Sequence, residues 1–307
     1  PPGPRKRVGL FPAGLLLIFF LFPSLAPAAP LRQRRIGEAV FAFPESISAA
    51  AESLGAAYPD LRAELQRSLG WEYDRTPTIV LQNDRDQFED WAGTPYFSAF
   101  AVAERELIVL DHTRLTDPTA LRATLKHELC HLLLGRHIHR DRLPRWLNEG
   151  VAQWSSDGLS ELLAHREQVS LPAAAASGRL FSLSALSDGF PHSRSGLALA
   201  YAQSRSVVDY LVRKYGREGL LALLNALKAG DSPKAAFQSA LGISPSQLEA
   251  DWKESLADTP AWLLFLAQYL YELIFVGAAL ATVYGFIQLR LRQKRYAEGL
   301  DEEDEEE

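Results

Sequence analysis

The segment that most constrains the fold of this chain is LKHELCHLLLGRH, residues 125–137. It contains His127, Glu128 and His131 in the order His-Glu-x-x-His. Residues four apart share one face of an α-helix, about 40° from each other around its axis. In that conformation two imidazoles one turn apart can bind the same metal ion, with the glutamate beside them. The segment therefore predicts a helix that carries a metal site.

The flanking residues predict where this helix begins and ends. Asp117 is suited to cap it, Pro118 to occupy its first position and Gly135 to end it, which gives a helix over 118–134. Its leucines fall roughly 120–240° from His127, so we expect them to face the core and the histidines to face a cleft. These leucines are Leu121, Leu125, Leu129, Leu132 and Leu133.

The rest of the chain predicts an α+β fold. With 307 residues, 47% apolar and 23% charged, it is long enough for one or two packed domains. Up to 116 a small N-terminal sheet with helices is expected, and beyond it a mostly helical part with a loop region over 170–195. The predicted strands cover 36–43 and 76–82, with a pair over 96–110 that turns near Glu104 and Arg105, and the predicted helices cover 45–69 and 84–91.

Charge and cysteine content exclude several kinds of site. The net charge of −6, much of it in the tail DEEDEEE at 301–307, gives no basic surface for nucleic acid. The single cysteine, Cys130, excludes an internal disulfide and a four-cysteine metal site, and is expected to be a small packed residue. Metal binding must therefore use histidine and carboxylate side chains.

The two ends of the chain predict its location. A basic start, an apolar run over 8–22 and the small residues PSLAPAAP indicate a secretory signal over 1–29, or else an uncleaved anchor. Residues 261–289 carry a single charge, Glu272, and are followed by the basic sequence RLRQKR. This pattern predicts a transmembrane helix with a basic-then-acidic cytoplasmic tail over 290–307. The N-terminal α/β part over 30–116 and the helical, metal-binding part over 117–258 would then lie outside the cytoplasm.

A third metal ligand has two candidates. Catalytic zinc takes three protein ligands and leaves a fourth position for water. His137 has the spacing of the metzincin pattern, but Leu134 occupies the position of its glycine, and the chain has no methionine for the Met-turn. Glu149 follows His131 after seventeen residues, on a second helix that Pro144 is expected to start, and this is enough chain for the two helices to pack together.

The sequence LPRWLNEGVAQW at 143–154 decides between them through a resemblance. It resembles the gluzincin metallopeptidases, and WLNEG looks like the corresponding segment of the zinc aminopeptidases. The layout from Val40 to Trp252 is similar to the smaller peptidase MA-like family. The resemblance implies that His127, His131 and Glu149 bind zinc and that Glu128 is the catalytic base.

The same resemblance implies a second catalytic residue. In zinc aminopeptidases a tyrosine opens a helix that ends at a glycine fifteen residues later, and Tyr201 precedes Gly216 by that distance. Its hydroxyl would donate to the oxyanion, a role for which His192 is a weaker candidate. The aminopeptidase segment Gly-Ala-Met-Glu-Asn has no match in AFAVAERE at 99–106, so aminopeptidase specificity is unsupported. A sheet edge near this segment is expected to bind an extended peptide instead.

Two functions follow from the sequence. The first is a membrane-anchored, extracytoplasmic zinc peptidase with a peptide or protein substrate. The second is a catalytically silent gluzincin-fold binding or scaffold module at the membrane, whose site its own loops would cover. The sequence does not predict the substrate or the oligomeric state.

Overall fold

The computed structural model describes residues 30–156, 169–257 and 261–304. The predicted signal segment over 1–29 lies outside these residues. The chain divides into two compact units, Pro1–Leu132 and Leu133–Glu307. Each unit is described separately below.

The first unit contains a five-stranded mixed sheet with the order β1-β2-β3-β5-β4. Its strands are β1 (Arg32–Ile36), β2 (Ala39–Phe43), β3 (Thr78–Gln82), β4 (Ala99–Val102) and β5 (Leu107–Asp111). The three central strands are parallel, whereas β1 and β4 run antiparallel at the two edges. The prediction of one strand over 36–43 was wrong, because Gly37 adopts a φ of 60° and reverses the chain into a hairpin.

Both faces of this sheet are covered by helices. The helix α1 (Ser48–Leu69) approaches one face so closely that a Cβ on Gly55 would lie 2.4 Å from Cγ2 of Ile36. The helix α2 (Arg85–Ala92) covers the other face through Phe88. Side chains alternate along each strand, so β2, β3 and β5 place buried residues on both faces of the sheet. One row of aligned residues across β2, β3 and β5 faces α1 and consists of Phe41, Ile79 and Ile108. The other row faces α2 and consists of Ala42, Val80 and Val109.

The edge strand β4 is fixed by its turn and by an arginine. The turn Ala103–Arg105 lies where the sequence predicted it, and Glu106 completes it with a φ of 50°. Arg85 donates to the carbonyls of Phe97 at 3.1 Å and Pro95 at 2.6 Å, and to the buried carboxylate of Asp111 at 2.5 Å. The segment that enters β4 is therefore held in place by one buried ion pair and its hydrogen bonds.

The helix α3 (Pro118–His137) carries the His-Glu-x-x-His pattern. Asp117 accepts a hydrogen bond from the backbone N–H of Ala120 at 2.7 Å and caps the helix, as predicted. The predicted end at Gly135 was wrong: the helix continues to His137, and the N–H of Ile138 still donates to the carbonyl of Leu134 at 2.8 Å. All the leucines predicted to face the core are buried, and so is Cys130.

The second unit, apart from the end of α3, is helical in its described residues. Its helices are α4 (Arg145–Ser155), α5 (Leu171–Ala176), α6 (Leu183–Asp188), α7 (Arg194–Ala229), α8 (Pro233–Leu241) and α9 (Pro245–Ala257). The region 170–195 was predicted as a loop but contains α5 and α6. Each of these short helices begins at a serine, Ser170 or Ser182, whose hydroxyl accepts a backbone hydrogen bond three residues on.

The helices α4 and α7 are in close contact. A Cβ on Gly150 of α4 would lie 2.4 Å from the carbonyl oxygen of Ser204 and 2.6 Å from Cγ2 of Val208 in α7. Only glycine allows the two backbones to approach to this distance. Gly216 interrupts α7 with φ 72° and ψ 172°, so the first part of the helix ends there.

The chain continues as a long helix, α10 (Ala261–Asp304). Within it Tyr269–Arg290 is long and apolar enough to cross a membrane, by length and composition. The large apolar side chains of this stretch are exposed. The α+β class and the order of its parts are thus as predicted from the sequence.

Candidate metal centre

Two histidines of α3 converge on one point. The Nε2 atoms of His127 and His131 lie 3.1 Å apart, and the rings meet at 84° with their centroids 4.7 Å apart. Tetrahedral zinc ligands about 2.0–2.1 Å from the ion are roughly 3.3 Å from each other. His127 is buried and His131 is half-buried. The imidazole pair therefore has the spacing and partial access that a metal ligand pair needs.

The helix α4 supplies a carboxylate to the same point. One ligand atom from each of His127, His131 and Glu149 lies within 4.8 Å of the other two. Glu149 is buried at 8% exposure. Two imidazole nitrogens and one carboxylate oxygen are a donor set that zinc takes in catalytic sites, with a fourth position left for water. The residues present fit a zinc ion.

Glu128 is buried at 5% exposure and follows His127 directly. On a helix its side chain is about 100° from that of His127, so it lies beside the ligand pair. The group that can bind an ion within the described parts of the chain contains His127, His131 and Glu149 but not Glu128. This placement suits a proton-transferring carboxylate.

The other histidines considered for the site are placed elsewhere. His137 lies beyond the helix predicted over 118–134 but is the last residue of α3, roughly 240° round the helix from His131. A side chain on that face points away from the pair. His192 is exposed in the short segment before α7. Neither belongs to the group that the structure brings together among its described residues.

Tyr201 lies within α7 and does not open it, because the helix already begins at Arg194. The residue is buried at 7% exposure, and its ring meets that of Phe190 edge-on, with centroids 5.2 Å apart. Its carbonyl accepts a hydrogen bond from Nε2 of Gln153 in α4 at 3.1 Å. The side chain is therefore fixed by packing, and its catalytic role remains a prediction.

Sequence reasoning missed Arg145 and Phe190. Arg145 begins α4, four residues before Glu149, and its guanidinium lies over the ring of Phe190, 4.8 Å from the centroid. The sequence did contain a signal for Arg145, because this residue precedes the predicted ligand Glu149 by four positions. It contained no signal for Phe190, whose place beside Tyr201 depends on the course of the segment between α6 and α7.

An ion pair anchors α3 within the first unit. Lys126, the residue before His127, lies 2.8 Å from the carboxylate of Glu64 in α1. The hydrogen bond from Lys126 lowers the pKa of Glu64 below its usual value. The pair links α3 to α1 at the residue before the first histidine.

The family is decided by the extent of the sequence match. The pattern of the Peptidase MA superfamily matches residues 78–258, which include all three residues of the metal-binding group. The chain belongs to the peptidase MA superfamily. This agrees with the resemblance that the sequence WLNEG indicated. No curated protein sequence matches the chain.

Among solved structures, this peptidase MA superfamily member is similar to yeast LTA4 hydrolase in complex with Bestatin, at 12% identity and a TM-score of 0.44. The native yeast enzyme matches at 13% identity and 0.46. A mutant of the M1 zinc metallopeptidase from Deinococcus radiodurans matches at 16% and 0.41. These alignments cover 76%, 79% and 73% of this chain, but only 38%, 42% and 52% of the respective relatives.

Proposed function

We propose that this chain is a zinc-dependent peptidase of gluzincin type, anchored in a membrane with its site outside the cytoplasm. The observation that carries the proposal is the convergence of His127, His131 and Glu149, with all ligand atoms within 4.8 Å. Membership of the peptidase MA superfamily supports peptide substrates. In this proposal these three residues bind the zinc ion.

The chemistry divides between the ion and Glu128. A zinc ion bound there would act as a Lewis acid and lower the pKa of a water molecule. The carboxylate of Glu128 would accept a proton from the water that attacks the peptide carbonyl, and would then pass it to the leaving amine. Because Glu128 is buried, bulk water has little access to the proton that it transfers. The cleaved C–N bond thus gives one carboxylate and one amine product.

Two further features support peptide hydrolysis. The Tyr201 hydroxyl would donate a hydrogen bond to the oxyanion that forms as water adds to the carbonyl. The edge strand β4 offers backbone groups to an extended peptide, and Arg85 holds the segment before it. Binding along an edge strand does not require a free amine, so internal cleavage of a protein chain is compatible with it.

The membrane part of the proposal rests on α10. Tyr269–Arg290 combines sufficient length with exposed apolar side chains, and basic residues follow it. Positive charge favours the cytoplasmic side, so the catalytic part would lie on the opposite side. Resistance to alkaline carbonate extraction tests anchoring. Protease protection of a C-terminal tag in sealed vesicles tests the orientation.

A diverse peptide pool tests the enzymatic activity. We expect the zinc-loaded chain to generate new peptide ends, detected by mass spectrometry, and a zinc chelator to abolish them. Zinc added back in excess should restore cleavage. Zinc binding without any cleavage of a pool of unfolded peptides would contradict the proposal and favour a silent binding module.

A further inference from the structure

The helix that carries Glu149 also carries a cation that the mechanism does not use. Arg145 and Glu149 are four residues apart on α4 and share one face of the helix. Their Cα atoms are separated by about 6 Å along the axis. Because Glu149 faces the histidine pair, Arg145 lies on the same face, one turn closer to the start of α4.

The guanidinium of Arg145 is held by an aromatic ring. It lies over Phe190 at 4.8 Å from the ring centroid and is half-buried. Among the described side chains of residues 30–156, 169–256 and 269–290, no aspartate or glutamate forms an ion pair with it. Stacking on a ring uses the face of a guanidinium and leaves its N–H groups free at the edge. Two N–H groups at this edge can donate hydrogen bonds to the two oxygens of a carboxylate.

Phe190 is itself fixed in place. It is buried at 7% exposure, and its ring meets Tyr201 at 83° with centroids 5.2 Å apart. The segment after it is tightly folded, since a Cβ on Gly196 would lie 2.8 Å from Cβ of Pro191. Arg145, Phe190 and Tyr201 thus form a row of contacting side chains, and its last member is the proposed oxyanion donor. A cation preorganised in this way loses little freedom when it binds a ligand.

The N-terminal end of α4 adds to the positive charge of Arg145. A helix N-terminus carries a partial positive charge from its unbonded N–H groups. Pro144, the residue before α4, has no side-chain oxygen with which to cap these groups. Arg145 therefore adds a full positive charge to an end that is already positive.

We infer that Arg145 is a specificity-determining residue that binds a carboxylate of the peptide substrate. The inference rests on the proposed function, because it assumes that peptides bind beside Glu149. An extended peptide advances about 3.3–3.5 Å per residue, so a separation of about 6 Å corresponds to roughly two residues. The substrate class is peptides with a carboxylate within about two residues of the cleaved bond, either an acidic side chain or a free C-terminus.

Peptide binding tests this separately from cleavage. The full chain in detergent, loaded with zinc and carrying Glu128→Gln to prevent turnover, is titrated into fluorescein-labelled alanine-rich octapeptides. One glutamate is moved along the peptide, each peptide has a glutamine twin, and each is made as C-terminal acid and amide. Fluorescence anisotropy gives a Kd for every member, and the acid and amide forms distinguish the two sources of the carboxylate.

We expect at least one carboxylate position to tighten binding by about tenfold, the value of one charge-assisted pair. Arg145→Gln should reduce this ratio to about one, with zinc content unchanged. Arg142→Gln, which removes an exposed arginine three residues earlier, should retain the ratio. Equal Kd values for all twins, or an unchanged ratio in Arg145→Gln, would overturn the inference. Binding does not require hydrolysis, so a chain that cleaves nothing still gives a decisive result.

Discussion

The Nε2 atoms of His127 and His131 lie 3.1 Å apart on consecutive turns of α3, and Glu128 stands between them in the sequence. The helix thereby separates two proposed roles among three residues within five positions of the sequence. Its 100° step directs the imidazoles to one point and the carboxylate to the side of that point. This geometry supports the proposed ligand role of the histidines and the proposed proton-transfer role of Glu128.

Glu128→Gln should separate metal binding from catalysis. The amide has nearly the shape of the carboxylate but cannot accept a proton, so zinc content should remain and cleavage should fall by about 10²–10⁴-fold. The measurement is cleavage of the peptide pool together with zinc content of the same sample. A variant with undiminished cleavage would exclude Glu128 as the base.

Tyr201→Phe should lower kcat without releasing zinc. Removal of one oxyanion donor lowers kcat on the order of 10²-fold, and KM should change little because the ground state does not use the bond. Tyr210→Phe, nine residues further along α7, is the matched control and should leave kcat unchanged. Equal kcat values for the parent chain and Tyr201→Phe would reduce Tyr201 to a packing residue.

Gly150→Ala should destabilise the second unit. The added methyl group would lie 2.4 Å from the carbonyl oxygen of Ser204, so α4 and α7 must separate. We expect the free energy of unfolding to fall by about 1–3 kcal/mol. In contrast, Gly189 has an extended φ of −179° and open space around its Cα, so Gly189→Ala should be nearly neutral. Urea unfolding of both variants measures the difference.

The Lys126–Glu64 pair predicts a pH dependence of stability. The hydrogen bond from Lys126 lowers the pKa of Glu64, so the folded state favours its ionised form. The resulting stability is present above the unfolded pKa of Glu64, about 4.3, and is lost as the pH falls through the lowered folded value. Because the Glu64 side chain is 46% exposed, the pair should contribute less than about 1 kcal/mol.

Unfolding of the parent and of Glu64→Gln at pH 7 and pH 3 measures this contribution. The variant should be less stable at pH 7, and the difference should shrink at pH 3. A constant difference at both pH values would show that the substitution acts through packing.

The helix with the metal ligands could be predicted because its pattern is local. Asp117 marks its start, and the leucines repeat at helical spacing, so no distant contact is needed to place His127 beside His131. The end of the helix was mispredicted, because Gly135 is tolerated inside a helix when the following turn continues. Strand β1 was missed because its residues, RQRRI, are mostly polar and it pairs only as half of a hairpin.

The features that the sequence did not indicate depend on contacts between residues that are distant in the chain. The row of contacting side chains Arg145, Phe190 and Tyr201 joins a helix start, a short connecting segment and the middle of a helix. These positions are far apart in sequence and share no periodicity. By contrast, Glu149 could be proposed in advance because WLNEG resembles a known family segment.

Zinc content tests the central claim most directly. Elemental mass spectrometry of the purified full chain should give about one zinc per chain. Glu149→Ala should lower the zinc content, and His137→Ala should retain it, since His137 lies on another face of α3. Loss of zinc in His137→Ala but not in Glu149→Ala, or a parent chain without zinc, would contradict the proposed metal centre.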